Sequence, residues 1–154
     1  MSLDQLQKIR NQRLERTYIE VQLNSDAEKQ AIEAIRQARQ DLENFMIRKK
    51  ETQDHLFDQL NDGSFSIDEM ATYNKTLSNI DAEEMRVREN IPLREKELHA
   101  AQNRLKESKE KLQSVTKDLE KVKEFITVVD KEKLQEEEKA EESLIDELAT
   151  LRSQ

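Results

Sequence analysis

A chain of 154 residues with one Gly, one Pro, no Cys and no Trp can hardly turn, so it is expected to be extended rather than globular. Charged residues make up 39% and aromatics 4%, a balance that suits long helices sharing a seam better than a thick core. The net charge of −8 opposes binding to nucleic-acid phosphates, and the lack of Cys excludes disulfides and thiolate chemistry.

The opening "MSLDQLQKIRNQ" lacks the apolar core of a signal peptide. No apolar run approaches the ~20 residues of a transmembrane helix. A cytoplasmic protein with no membrane span is expected. Lys8, Arg10, Arg13 and Arg16 follow at helical spacing. The three arginines recur every third residue and share a broad face. On composition alone such a row reads as a solvated face.

The first arm, about residues 2–61, reads as helix with a loose apolar stripe. Tyr18, Val21, Ile32, Ile35, Leu42, Met46, Leu56 and Leu60 keep one heptad frame. Ser25, Glu28, Arg39, Lys49 and Gln53 interrupt it, at a cost in stability that can fix register.

Helix stops in "DQLNDGSFSIDE", residues 58–69. The stretch resembles a calcium-binding EF-hand loop, with Asp58 first, Asp62 fifth, Gly63 sixth and Glu69 twelfth. Leu60 stands where the third ligand is needed, and no second loop exists to pair with it. Each residue also has a structural task. Gly63 suits the left-handed conformation past a helix end. Ser66 and Glu69 are spaced as a capping box, and Phe65 with Met70 as a hydrophobic staple. A corner at 62–65 without metal is the preferred reading.

The second arm, about 66–152, carries the clearest pattern. The series Met70, Tyr73, Leu77, Ile80, Glu84, Val87, Ile91, Arg94, Leu98, Ala101, Leu105, Ser108, Leu112, Val115, Leu119, Val122, Ile126 and Val129 steps by 3.5 residues, and fifteen of the eighteen are apolar. A repeat of 3.5 held this long predicts a left-handed coiled coil. Pro92 interrupts this arm, and a tolerated kink is expected there.

Together these features predict an all-α fold: a long antiparallel two-helix coiled-coil hairpin, monomeric, with unequal arms of ~90 and ~130 Å. Symmetric pairing across Gly63 sets Leu56 beside Met70, Ile35 near Ile91 and Leu6 near Leu119. The second arm then outruns the first. From about residue 130 it forms an overhang with nine acidic and four basic residues, in which Leu144, Ile145, Leu148 and Leu151 make a stripe. Such a stripe is a candidate binding surface or a fraying end.

Catalytic constellations are absent. The sequence has no Gly-rich phosphate loop, no HExxH and no Cys nucleophile. His55 and His99 fall on opposite arms and read as surface residues. The Glu run at 136–138 reads as a solvated face. No catalytic, cofactor or metal residues are expected, and no enzyme activity.

The spacing of Leu6, Ile9, Arg10, Arg13 and Arg16 resembles the opening of the YscO family. "LFDQ" (56–59) before the corner and the acid- and Gln-rich "VVDKEKLQEEEKAEESLIDELA" are similar in character to that family too. YscO proteins are stalk components of type III secretion systems, related in role and shape to flagellar FliJ. The resemblance implies a non-enzymatic hairpin at the pore of a hexameric secretion ATPase, at the cytoplasmic face of the apparatus. There it would engage the export gate protein and substrate chaperones. The candidate contacts are Lys8, Arg10, Arg13 and Arg16, with Leu144, Leu148 and Leu151 as the alternative. Two other classes remain open: a homodimeric coiled-coil scaffold or tether, and a calcium-binding module.

Overall fold

The computed structural model describes residues 2–63 and 66–153. Two helices account for nearly all of them: α1, Leu3–Asn61, and α2, Ile67–Arg152. The fold is an all-α antiparallel helical hairpin with arms of 59 and 86 residues. No strand occurs among the described residues.

Both helices begin on a serine cap. At α1 the cap is reciprocal: Ser2 Oγ accepts the Gln5 N–H at 3.2 Å, and Gln5 Oε1 accepts the Ser2 N–H at 3.1 Å. This Gln form of the capping box satisfies two of the orphan amides at a helix start. At α2, Ser66 Oγ accepts the Glu69 N–H at 3.1 Å, as its spacing predicts. The expected staple partner Phe65 lies outside the described residues, and Met70 is 45% exposed. Gly63 has φ 159°, close to extended, rather than the expected left-handed helical conformation.

The chain divides into two compact units: residues 22–106, and residues 1–21 with 107–154. In the first, Ile35, Ala38 and Phe45 of α1 and Ala101 and Leu105 of α2 are buried. Four polar contacts cross between the arms there. Asn24 donates to the Arg104 carbonyl, Arg39 lies 3.6 Å from Glu95, Lys49 bonds Glu84, and Arg88 approaches the Met46 sulfur. In the second unit, Thr17, Ser108, Val115 and Leu119 are buried. Arg10 faces Asp118 at 3.8 Å and Lys111 bonds Glu20 at 3.0 Å. Within each unit, partners on α1 rise in number as those on α2 fall, the signature of antiparallel packing.

The α2 seam follows the expected frame. From Tyr73 to Val129 every residue of the 3.5 series is buried or half-buried, and only Met70 departs from it. The α1 seam follows the expected frame only in part. One of its two heptad positions holds Val21, Glu28, Ile35, Leu42, Lys49 and Leu56 as expected. The other lies one residue earlier, at Thr17, Asn24, Ala31, Ala38, Phe45 and Thr52. Tyr18, Ile32 and Met46 are therefore exposed, at 65%, 49% and 36%. Tyr18 and Ile32 misled because Thr17 and Ala31, which fit a close seam without large apolar area, occupy the seam position beside them.

Register is corrected as well. Pairing across Gly63 would set Lys49 near Leu77 and Arg39 near Val87. Lys49 instead meets Glu84 and Arg39 meets Glu95, while Asn24 meets Arg104 and Arg10 meets Asp118, so every partner lies further along α2, by two residues for Asn24 and Arg10 and by seven or eight for the long side chains of Lys49 and Arg39. The reason lies at the corner. α1 runs to Asn61 but α2 starts only at Ile67, so the pairing is centred one residue beyond Gly63, which accounts for the two-residue shift at Asn24 and Arg10. Pro92 sits on an exposed face, and α2 continues through it.

Candidate partner-binding surfaces

The predicted arginine row is split by the structure. Lys8, Arg13 and Arg16 are exposed. Arg10 is not part of their face. It occupies a seam position between Gln7 and Leu14, with its guanidinium toward Asp118. Its Nε is buried and finds no hydrogen-bond partner among the described residues. The correction is geometric. Three-residue steps drift around a helix, and Arg10 is the member that falls at the seam edge. Thr17, one turn beyond Arg13, is buried and donates its hydroxyl to the Arg13 carbonyl at 2.8 Å.

The second candidate surface lies on α2 beyond Val129. Every described residue from 130 onward is exposed, so no part of α1 covers it. Leu144, Leu148 and Leu151 are 57%, 52% and 68% exposed, joined by Ile145 and Leu134. Acidic side chains surround them: Glu137, Glu138, Glu141, Glu142, Asp146 and Glu147. An unpaired helix of this kind holds large apolar area in water with nothing to offset it.

At the corner the arms enclose an open cleft of about 550 Å³ lined by Leu56, Gln59, Asp62, Asp68, Glu69 and Tyr73, among others. Asp58, the first position of the EF-hand reading, lies inside α1. Among the described residues no three His, Cys, Asp or Glu side chains group closely enough to hold a metal ion. His55 and His99 are both exposed, and His55 Nε2 lies 3.3 Å from Gln59 Nε2.

One polar site went unread in the sequence because its halves lie on different arms. Lys49 and Glu84, each an interruption of its own stripe, form an ion pair within the seam, with Arg88 adding a second cation 3.4 Å from Glu84. The Lys49 hydrogen bond, aided by the positive charges of Lys49 and Arg88, holds the Glu84 carboxyl below its ordinary pKa against the opposing pull of desolvation. Charge pairing across the two stripes was the available signal, and the correct register was needed to use it.

No helix among the described residues is long and apolar enough to cross a membrane. Comparison with protein-family models, curated proteins and solved structures finds no match to this chain.

Proposed function

We propose that the chain is a non-enzymatic central stalk of a type III secretion export apparatus, of the YscO and FliJ kind. It couples a hexameric ATPase to the export gate protein and meets substrate chaperones at the cytoplasmic face. The observation that carries the reading is the seam. The α2 stripe from Tyr73 to Val129 is covered by α1 of the same chain, so a two-helix seam needs no second chain to complete it. The opening spacing of Leu6, Ile9, Arg10, Arg13 and Arg16 adds the family resemblance.

A seam satisfied within one chain also disfavours the tether reading, which requires an intermolecular one. The unit formed by residues 1–21 and 107–154 presents both Arg13 with Arg16 and the acidic overhang. Exposed charge suits a stalk held loosely in a ring, because such contacts are steered at long range and exchange quickly. The test is reconstitution with a type III secretion ATPase. The chain is expected to bind the hexamer and raise its ATP hydrolysis. No binding and no stimulation at saturating chain would overturn the proposal.

A further inference from the structure

We infer that the acidic overhang docks on the outer face of α1 in a second copy of this chain, giving a weak two-fold dimer. On α1, Ile9, Arg13, Arg16 and Ile19 are all exposed and lie on a face away from the seam. On α2, Leu134, Glu138, Glu141 and Leu144 are all exposed on the unpaired segment.

The two sets have the same spacing, four, three and three residues, which places each on one broad helical face. Laid face to face in parallel, the two sets align in height. Ile9 meets Leu134 and Arg16 meets Glu141 along the line of contact. Arg13, Glu138, Ile19 and Leu144 flank that line, so opposite charge and apolar area border it on both helices. Lys8 opposite Lys133 is the one like-charge pair, at the border of the face.

The direction fits the fold. Within a chain α1 and α2 are antiparallel, so a parallel match between copies requires the two hairpins to point opposite ways. That is a two-fold arrangement in which each overhang covers the other's α1, and the same contact forms twice. The overhang starts where α1 starts, since α1 begins at Leu3 and cover on α2 ends at Val129. Leu134 therefore enters beside the first turns of α1.

This dimer differs from a tether built on an intermolecular seam, because both seams stay within their own chains. It also covers Arg13 and Arg16, so an ATPase that uses those residues competes with it. Its test reads association, not ATP hydrolysis, and stands apart from the stalk reading.

Sedimentation of the full chain over a wide concentration range at low salt is expected to show a reversible monomer–dimer equilibrium. Reversing Arg13 and Arg16 to Glu, or Glu138 and Glu141 to Arg, is expected to weaken it ~10-fold or more. Combining both reversals in one chain is expected to restore it, with helicity unchanged throughout, because all four side chains are exposed. The chain has no native cysteine. An Ile9→Cys variant mixed with a Leu134→Cys variant is thus expected to form the mixed disulfide, and Ile9→Cys mixed with Leu144→Cys is not. A chain monomeric at every concentration overturns the inference. So does a dimer indifferent to the reversals, or one in which Ile9→Cys links to Leu144→Cys.

Discussion

The Lys49 ammonium donates to both carboxylate oxygens of Glu84, at 3.1 and 3.2 Å, across the two arms of the hairpin. Each side chain is less than one fifth exposed. A polar pair inside an apolar stripe fixes which heptads face one another, since any slip leaves both charges in the seam without partners. Glu84→Ala or Lys49→Ala is therefore expected to lower the melting temperature. Replacing both with Leu is expected to recover it while loosening register, which a spin-label distance between Arg39 and Glu95 positions would detect. A double variant no more stable than either single one would show that the pair is not coupled.

The same carboxylate gives a pH prediction. The folded pKa of Glu84 is depressed below its ordinary 4.5, led by the Lys49 hydrogen bond. Its contribution is thus fully present above the unfolded value and is lost as pH falls through the folded one. Thermal melts at successively lower pH, from neutrality to below 4.5, are expected to show a loss of stability in the wild type that is smaller in Glu84→Gln. Parallel curves would remove Glu84 from the account.

Phe45 and Met46 discriminate the two possible α1 frames. Phe45 is 3% exposed and Met46 is 36% exposed. Phe45→Ala is expected to cost about 3 kcal/mol, the usual penalty for truncating a buried aromatic. Met46→Ala should cost much less. Urea melts would read both, and equal losses would favour the frame through Tyr18, Ile32 and Met46.

These two residues also mark how far the sequence could be read. The α2 frame was legible because Leu, Ile and Val fill most of its seam, so a 3.5-residue count finds it directly. The α1 seam includes Thr17, Ala31, Ala38 and Thr52, whose small side chains carry little hydropathy signal. At Thr17 and Ala31 a larger apolar residue one position later, Tyr18 and Ile32, captured the count instead. The two helices, the Ser66 cap and the uncovered overhang were all legible, since local spacing and arm length decide them. Register was not, because it depends on where α2 starts relative to the end of α1, and on Lys49 finding Glu84. Arg10 was misplaced for the same reason, its position in the seam being set by the partner arm.

Leu119 tests the second arm. It is 4% exposed, whereas Glu107 lies on the open face. Leu119→Asp places a charge in the seam, which costs several kcal/mol unless the arms open there. Glu107→Lys is expected to leave the melt almost unchanged. Circular dichroism on heating separates the two, and a large effect of Glu107→Lys would put the seam on the wrong face.

Arg13 and Arg16 carry the last prediction. Arg10 is kept out of the test, because Arg10→Glu would set a second carboxylate beside that of Asp118 and weaken the packing of the arms. A loss of function there would say nothing about a partner. Arg13 and Arg16 are exposed, and the described ion pairs include neither. Single exposed pairs contribute only ~0–1 kcal/mol, so one reversal should weaken an ATPase contact slightly and both together should do more. The Arg13→Glu, Arg16→Glu chain is expected to keep wild-type helicity and lose most stimulation of ATP hydrolysis. High salt acting on the unaltered chain should produce the same loss, because it screens the same charges. If the double variant stimulates fully, these arginines are a solvated face. In the proposed stalk the contact with the ATPase is then assigned to Leu144, Leu148 and Leu151, where Leu148→Ala, a smaller change in an exposed stripe, should reduce stimulation with little response to salt.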